Sequence, residues 1–494
     1  MGTEKYELLF RRQDELNMLR RLVAQKRSQF IYVRGRRRVG KSWLLTHFAQ
    51  SQKKEILYFS GAKDASARIS MQEFVLAWSR FSGDPHLTTL RPELISWRTI
   101  WITICDFLKK HNRRVCFIFD EIQWIAKVGS GFIGSLKEAW IELEKGNLAH
   151  IVICGSSNRF FANHVGGEEK ILRGLQTHAS LIVQPLTPQE MQKALLPNWK
   201  LEELLMLYML IGGIPYYLQQ IDPRLGFVKA ISKTLFSAGT IFLQEANEVL
   251  GLEFNRMSIE NVKKILSVLA VHGGSQREVR KKFKLSSSTV SELFTKLQEF
   301  QIISPVRNYS KRRQLKINGV ETFYIIDDFY LNTFFSLLAP LASEIEHNHE
   351  GKKALFAHRI LDSEGYYIEG FSGKIFEDLV RYLLKRAPLE SKLLQKLAVT
   401  DHNFTLYQEH DKNIQIDIIL EQKTDRAVYV CECKWAKNLD VAWIDQVVHK
   451  ASYLDTEYHR VPVLFIGQKG VTTAFHNKAE AAGVIVIEGG DLLF

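Results

Sequence analysis

The chain has 494 residues, 46% of them hydrophobic, 11% aromatic and 24% charged, which excludes a disordered tail and supplies apolar material for about three or four domains. Its 66 Lys and Arg against 54 Asp and Glu give a formal net charge of +12, an excess that favours polyanionic partners, nucleic acid first, although a solvated basic surface reads the same. No apolar run reaches the length of a membrane span and the amino terminus lacks a signal-peptide pattern, so the expectation is a cytoplasmic protein without a membrane partner, its thiols at Cys105, Cys116, Cys154, Cys431 and Cys433 reduced and mostly buried.

Residues 28–33 read as a short buried strand that runs into a loop and then a helix, KSWLLTHFAQ. The loop, Gly35-Arg-Arg-Arg-Val-Gly40-Lys41-Ser42, fits G-x-x-x-x-G-K-[ST] in full and in the strand–loop–helix context that gives the pattern its meaning. Its glycines let successive N–H groups turn toward phosphates. Lys41 is expected to neutralise the β- and γ-phosphates and Ser42 to hold Mg²⁺. Further strands are expected at 56–60, 115–120, 150–157 and 180–186, with helices between them, the alternation of a parallel α/β sheet. The strand VCFIFD ends in Asp120 and Glu121, where such sheets place ligands. Asp120 is expected to reach Mg²⁺ through water and Glu121 to polarise the attacking water. The next strand ends in Ser156, Ser157 and Asn158, which either sense a γ-phosphate or simply turn the chain. Trp43, Trp124 and Trp140 are read as core rather than as base-stacking platforms.

Residues 188–250 look helical, broken at Gly212-Gly213 and Pro215, and read as a helical lid. Three amphipathic helices follow over 258–305, then a β-hairpin with the basic tip NYSKRRQ, the outline of a winged helix. Its third helix offers Ser287, Ser288, Thr289 and Ser291, preceded by Lys281, Lys282 and Lys284; Arg307, Lys311, Arg312, Arg313 and Lys316 belong to the wing. Such a module contacts DNA or serves as a spacer or protein-docking unit. Residues 336–370 read as a linker with one helix. From 371 a last α/β unit places Glu377 on a helix, Asp417 on a strand and Glu432-x-Lys434 on the next. Residues two apart on a strand share a face, so Glu432 and Lys434 converge, and three carboxylates with a lysine suit Mg²⁺ or Mn²⁺ and phosphodiester hydrolysis. The competing reading is a buried ion pair without catalysis. Gln446 and His449 on the following helix default to the surface.

The segments FRRQDELNMLRRL, GRRRVGKS, FDEIQW, CGSSN, QPLTPQE and GGIPYYL together resemble the archaeal-type ATPase family, P-loop ATPases related to AAA+ and signal-transduction ATPases, over roughly residues 8–250. The resemblance implies ATP as the nucleotide, Arg12 and Glu15 beside the adenine, and Gly212, Gly213 and Pro215 in a lid motif. Where the family shows Gly-Arg this chain has Gly174-Leu175, with Arg173 on the other side of the glycine, which leaves a slow nucleotide switch open. Residues from about 324 resemble the C-terminal domain of uncharacterised function that accompanies these ATPases. The order Glu377, Asp417, Glu432-x-Lys434 resembles the PD-(D/E)XK nucleases, with Ile416 in place of a proline.

The expected fold is thus an α/β multidomain chain. A P-loop parallel-sheet ATPase core (1–187) and helical lid (188–255) precede a winged helix-turn-helix (256–335), a linker (336–370) and a C-terminal α/β restriction-endonuclease-like domain (371–494). The expected function is ATP binding and hydrolysis coupled to DNA binding and to a metal-dependent endonuclease. The alternative is a slow ATP-dependent regulatory switch with an inactive C-terminal scaffold. Relatives of AAA+ ATPases often assemble, so a homo-oligomer is a further expectation.

Overall fold

The computed structural model describes residues 12–52, 55–127, 129–155, 179–194, 198–254, 256–270, 272–309, 322–347, 361, 368, 370–410, 414–436, 438–467 and 470–494. They fall into two compact units, Met1–Pro185 and Leu186–Phe494.

The first unit is built on five parallel strands: β1 (Phe30–Arg34), β2 (Ile56–Ser60), β3 (Val115–Asp120), β4 (Ala149–Gly155) and β5 (Ala179–Ile182), in the order β2-β3-β4-β1-β5. β3 and β4 are buried at every position, as unbroken apolar runs must be when helices cover both faces of a parallel sheet. The helices are α1 (Gln13–Val23), α2 (Lys41–Ser51), α3 (Ala67–Ser82), α4 (Trp97–His111) and α5 (Phe132–Lys145). Two of them start on serine caps, Ser66 accepting from the Ile69 N–H and Ser96 from the Thr99 N–H. Aromatic packing dominates one side of the sheet: Trp97 meets Phe132 edge-on at 4.7 Å and Trp140 meets Phe30 at 5.1 Å. Trp140 is therefore core, whereas Trp43 and Trp124 are only half-buried.

The second unit opens with helices, among them α6 (Leu201–Ile211), every residue of which from Leu204 onward is buried. Gly213 lies so close to the segment ahead of the helices that a Cβ there would come within 1.9 Å of the Leu186 carbonyl oxygen. Helices α7 (Arg256–Leu269), α8 (Gln276–Phe283) and α9 (Ser287–Glu299) follow. They pack with a small antiparallel sheet of β6 (Gly274–Ser275), β7 (Ile303–Val306) and β8 (Phe323–Ile326), ordered β6-β8-β7. The start of α8 is fixed by a capping box between Ser275 and Glu278. The basic tip, with Lys311, Arg312, Arg313 and Lys316, lies outside the described residues.

The last sheet has the order β13-β12-β11-β10-β9, with β9 (Phe404–His410), β10 (Gln415–Gln422), β11 (Ala427–Lys434), β12 (His459–Ile466) and β13 (Ile485–Glu488). β9, β10 and β11 are mutually antiparallel; β11, β12 and β13 run parallel. It is therefore a mixed sheet, with helices α10 (Ser372–Leu384), α11 (Ala442–Tyr453) and α12 (Thr473–Ala481) around it. Just after β7 the chain joins this sheet's edge: the Tyr309 N–H donates to the Gln408 carbonyl at 2.8 Å and the Gln408 N–H to the Arg307 carbonyl at 3.0 Å. Tyr309 is buried there, its hydroxyl 3.0 Å from Thr456 Oγ1. The root of the hairpin expected as a wing is thus tied to β9. The described part of the expected linker includes a helix, Ala339–Glu346. Among the described residues no helix is long and apolar enough to cross a membrane.

Candidate functional site

The phosphate loop leaves β1 through Gly35, whose φ of +154° and surroundings demand glycine, because a Cβ would lie 2.4 Å from the Val183 carbonyl oxygen. Gly40, at φ +98°, heads α2 without any side-chain cap. The first N–H groups of α2 lie outside the helix's own hydrogen-bond ladder, and a helix end of this kind receives anions. Lys41 is buried, and its Nζ donates to the carbonyls of Gly35 and Arg36, both at 2.9 Å. Burial pulls its ammonium below the ordinary lysine range, while the nearby Cys154, Glu121 and Asp120 pull the other way. Ser42 is exposed.

Asp120 ends β3 and is buried, at 1% exposure. Its Oδ1 accepts the Glu121 N–H at 2.9 Å and its Oδ2 the Tyr58 hydroxyl at 2.7 Å. Burial, then the Asp120 charge, drives the Tyr58 phenol well up, so it remains a donor. Glu121 adopts a left-handed conformation, φ +48°, that turns the chain out of β3, and Gln123 Nε2 donates to its carboxylate. β4 stands between β1 and β3, so the lysine loop and the carboxylates come from strands two positions apart, near enough for Lys41 to feel both charges. Arg12, buried, donates to the Val39 carbonyl at 3.0 Å and to Glu15 Oε1 at 3.1 Å, bracing the loop from α1. Ser156, Ser157, Asn158, Arg173, Gly174 and Leu175 lie outside the described residues. Tyr58 was not marked in the sequence; its alternating strand pattern put it on a half-buried face but gave no sign of its partner.

A second cluster forms on the last sheet. The pairing of Ile418 with Cys431 brings Asp417 across from Glu432, and the Cys433 N–H donates to Asp417 Oδ2 at 2.8 Å. The register of β10 on β9 shifts between Ile416 and Ile419, an irregularity centred on Asp417 of the kind that re-aims a side chain. Arg381 of α10 satisfies the Asp417 carbonyl at 2.7 Å. Burial, then Glu377 and Glu432, push the Asp417 carboxyl up to about 7; burial also raises Glu377, whose Oε2 accepts from Lys374 at 2.8 Å. Glu432, 4% exposed, accepts from Lys434 Nζ at 2.8 Å through Oε1 and from Lys450 Nζ through Oε2. Burial opposes the Lys434 charge, but the bond to Glu432 and its charge prevail and raise it.

Glu377, Asp417, Glu432 and Lys434 are therefore brought together. Among the described residues no group of three or more His, Cys, Asp or Glu is placed to hold an ion. Glu432, expected as a ligand with Asp417, has both oxygens occupied by lysines. Lys450 escaped the sequence reading because a helix lysine defaults to solvent. The pattern held the clue: on α11 the buried Ile444, Val447 and Ala451 form a stripe that Lys450 flanks, whereas Gln446 and His449 project away and are exposed.

Comparison with known proteins follows this division. Residues 9–221 match the model of an ATPase domain predominantly from Archaea, and residues 334–447 match one of archaeal and bacterial proteins of unknown function. An uncharacterized protein of Methanocaldococcus jannaschii is 22% identical over 449 residues, 90% of this chain and 91% of the relative. The solved Walker-type ATPase of Pyrococcus abyssi is similar with a TM-score of 0.51 at 17% identity, over 67% of this chain and 96% of its own. An ORC2 protein of Aeropyrum pernix gives a TM-score of 0.43 at 13% identity, over 69% and 93%. At 17% identity the Pyrococcus abyssi structure speaks for fold alone. The match of residues 9–221 to an ATPase domain, with the parallel sheet and phosphate loop of the N-terminal unit, supports ATP binding and hydrolysis.

Proposed function

We propose that this chain is an ATP hydrolase whose nucleotide state governs a DNA-binding second unit. The observation that most supports it is the meeting of Lys41, at the head of α2, with Asp120 and Glu121 at the end of β3. In this reading Lys41 leaves the Gly35 and Arg36 carbonyls for the β- and γ-phosphates, trading neutral acceptors for charged ones. The N-terminal N–H groups of α2 bind the same anion. The Asp120 carboxylate has the neutral Tyr58 hydroxyl and Glu121 N–H as its direct donors, so its charge remains available to Mg²⁺. Ser42 and Asp120 are the residues that would hold the ion, hard oxygen donors of the sort it prefers. Mg²⁺, when bound, supplies positive charge to the phosphates. Glu121, oriented by Gln123, holds the proton of the attacking water at its carboxylate.

The winged-helix reading of residues 256–335 draws support from α8 and α9. Ser287, Ser288 and Ser291 are exposed on α9, and Lys281, Lys282 and Lys284 are exposed beside it. Such donors and cations fit a phosphate backbone. The test is DNA binding and ATP hydrolysis by the parent and Lys41→Ala, in ATP and in ADP. The proposal expects parental DNA affinity to differ between the nucleotides and the variant to lose both the difference and the hydrolysis. Equal affinity in all lanes would remove the coupling.

A second reading has its own support: Glu377, Asp417, Glu432 and Lys434 meet across a helix and two strands, in the order found in PD-(D/E)XK nucleases. It makes the last sheet a Mg²⁺- or Mn²⁺-dependent phosphodiesterase. The carboxylates do not fit a metal in their present pairing, so a catalytically silent scaffold under an ATP-driven switch is the counter-reading. Plasmid cleavage by the parent, lost in Asp417→Ala, separates the two.

A further inference from the structure

We propose that the first unit carries a second binding site, for a small organic anion with an apolar body and a carboxylate or phosphate head. The site is a cavity of about 480 Å³ at the end of the sheet away from the phosphate loop, a volume that suits a small molecule. Nothing in it depends on ATP hydrolysis.

The strands of the first sheet run parallel, so their starts share one end of the sheet. The phosphate loop follows the last residue of β1, and Asp120 closes β3. The cavity lies at the other end, lined by Cys116, the second residue of β3, by His150, the second of β4, and by Glu55, just ahead of β2. At roughly 3.3 Å per residue, about 13 Å of strand separates Cys116 from Asp120. Val23 and Ala24 at the close of α1, Gln52 just past α2 and Asn112 just past α4 complete the wall. A nucleotide on the loop therefore does not fill this space.

The floor is apolar, with Phe48 and Cys116 buried and Val23 half-buried. The rest of the lining is cationic. Arg20, Arg113 and Arg114 outnumber the Glu55 carboxylate, and none of the three meets a carboxylate within ion-pairing distance among the described residues. Capping of helix ends explains only one of them. α1, α2 and α4 end here with partial negative charge on their last carbonyls, and Arg114 covers the backbone past α1 and α5 by donating to the Gln25, Lys26 and Asn147 carbonyls. Arg20 donates only to its helix neighbour Asn17, at 3.1 Å, and the Arg113 guanidinium lies 5.3 Å from the centre of the Phe81 ring. Both keep N–H donors for a ligand. His150 adds a neutral donor to the wall. Burial keeps its ring uncharged and its Nδ1 accepts the Gln29 N–H, so the proton sits on Nε2, which is buried and has no partner among the described residues. Guanidinium forks grip a carboxylate or phosphate, and the apolar floor takes the body that carries it. The same charges repel a metal ion or an organic cation.

The test uses four probes titrated into the full chain by calorimetry: 1-naphthyl phosphate, 1-naphthoate, the neutral 1-naphthalenemethanol and inorganic phosphate. At least one of the two naphthyl anions should bind one to a chain, and the tighter of them names the head. The alcohol and inorganic phosphate should each bind more weakly by about tenfold or more, the scale of one charge-assisted contact or of the buried body. Lys41→Ala, which cripples the phosphate loop, should bind the naphthyl anion within about threefold of the parent, because the loop is not its site. The double variant Arg20→Gln/Arg113→Gln should weaken it by about tenfold or more. Ala24→Phe, which fills the cavity and leaves its charges alone, should do the same, and it carries the test if the double variant does not fold by thermal unfolding. No binding of either naphthyl anion, inorganic phosphate bound as tightly, loss of binding in Lys41→Ala, or parental affinity in a folded cavity variant would each overturn the proposal. Failure of the hydrolysis reading shows instead in the ATP turnover of Lys41→Ala and leaves these titrations unaffected.

Discussion

The phosphate loop and the carboxylate cluster of the last sheet are both small groups of buried charges at strand ends, yet they hold those charges in opposite ways. At the loop, the partners are neutral: Lys41 rests on backbone carbonyls, and Asp120 on a phenol and an N–H. At the last sheet, the partners are ions, with Glu432 between two lysines and Glu377 on Lys374. A charge solvated by dipoles keeps most of its field for an incoming ligand, while a charge matched by another ion has little left. The first site is poised, and the second is closed upon itself until something intrudes.

Mutations sharpen that contrast at the loop first. Lys41→Ala removes the only lysine of the motif, and ATP turnover should fall by about a hundredfold or more, read as phosphate release. An unchanged rate would mean the loop does not serve ATP. Gly35→Ala drives a Cβ into the Val183 carbonyl and should lower stability by about 2–3 kcal/mol in chemical denaturation, with nucleotide binding lost as well. A wild-type midpoint would show that the close approach is not maintained in solution.

Next in size is an acid effect. The His150 Nδ1 accepts the buried Gln29 N–H at 3.2 Å, and burial, aided by Arg114, pulls the imidazole down to about 4. A histidine lowered in the folded state gives stability that is complete above its ordinary pKa near 6.5 and is lost as the pH falls toward 4. The first unit should therefore weaken by about 2 kcal/mol between pH 7 and pH 4.5 from this residue. His150→Gln, followed by unfolding at both pH values, should flatten that slope; an equal slope in the variant would assign the acid loss to other groups. The smallest effect is expected for Tyr58→Phe. It takes one neutral donor from Asp120, at a cost of about 1 kcal/mol, and should reduce turnover several-fold without unfolding. A rate equal to the parent's would mean that water replaces the phenol.

Much of this contrast was legible in the amino-acid order, and the rest was hidden for physical reasons. The loop Gly35–Ser42 and the strand ending at Asp120 announce themselves because steric and electrostatic demands on phosphate binding leave few residue choices. Apolar runs such as ILYFS and VCFIFD become β2 and β3 at the residues expected. Strand order is another matter: that β4 lies between β1 and β3 depends on chain crossings that no local pattern encodes. The convergence of Asp417 with Glu432 and Lys434 could be anticipated from the period of two, but the irregularity at Asp417 and the arrival of Lys450 could not. Both are tertiary facts, one of register and one of a long side chain's reach.

The central claim is that Lys41, Asp120 and Glu121 form an ATP-hydrolysing site, and Glu121→Gln tests it most directly. Its nucleotide affinity and its single-turnover hydrolysis should be measured together with Mg²⁺ present. ATP binding should stay within about threefold of the parent and hydrolysis should be slower by about a hundredfold or more, since only the acceptor for the water proton is lost. Parental hydrolysis in Glu121→Gln would contradict it and move the water-activating role away from the end of β3.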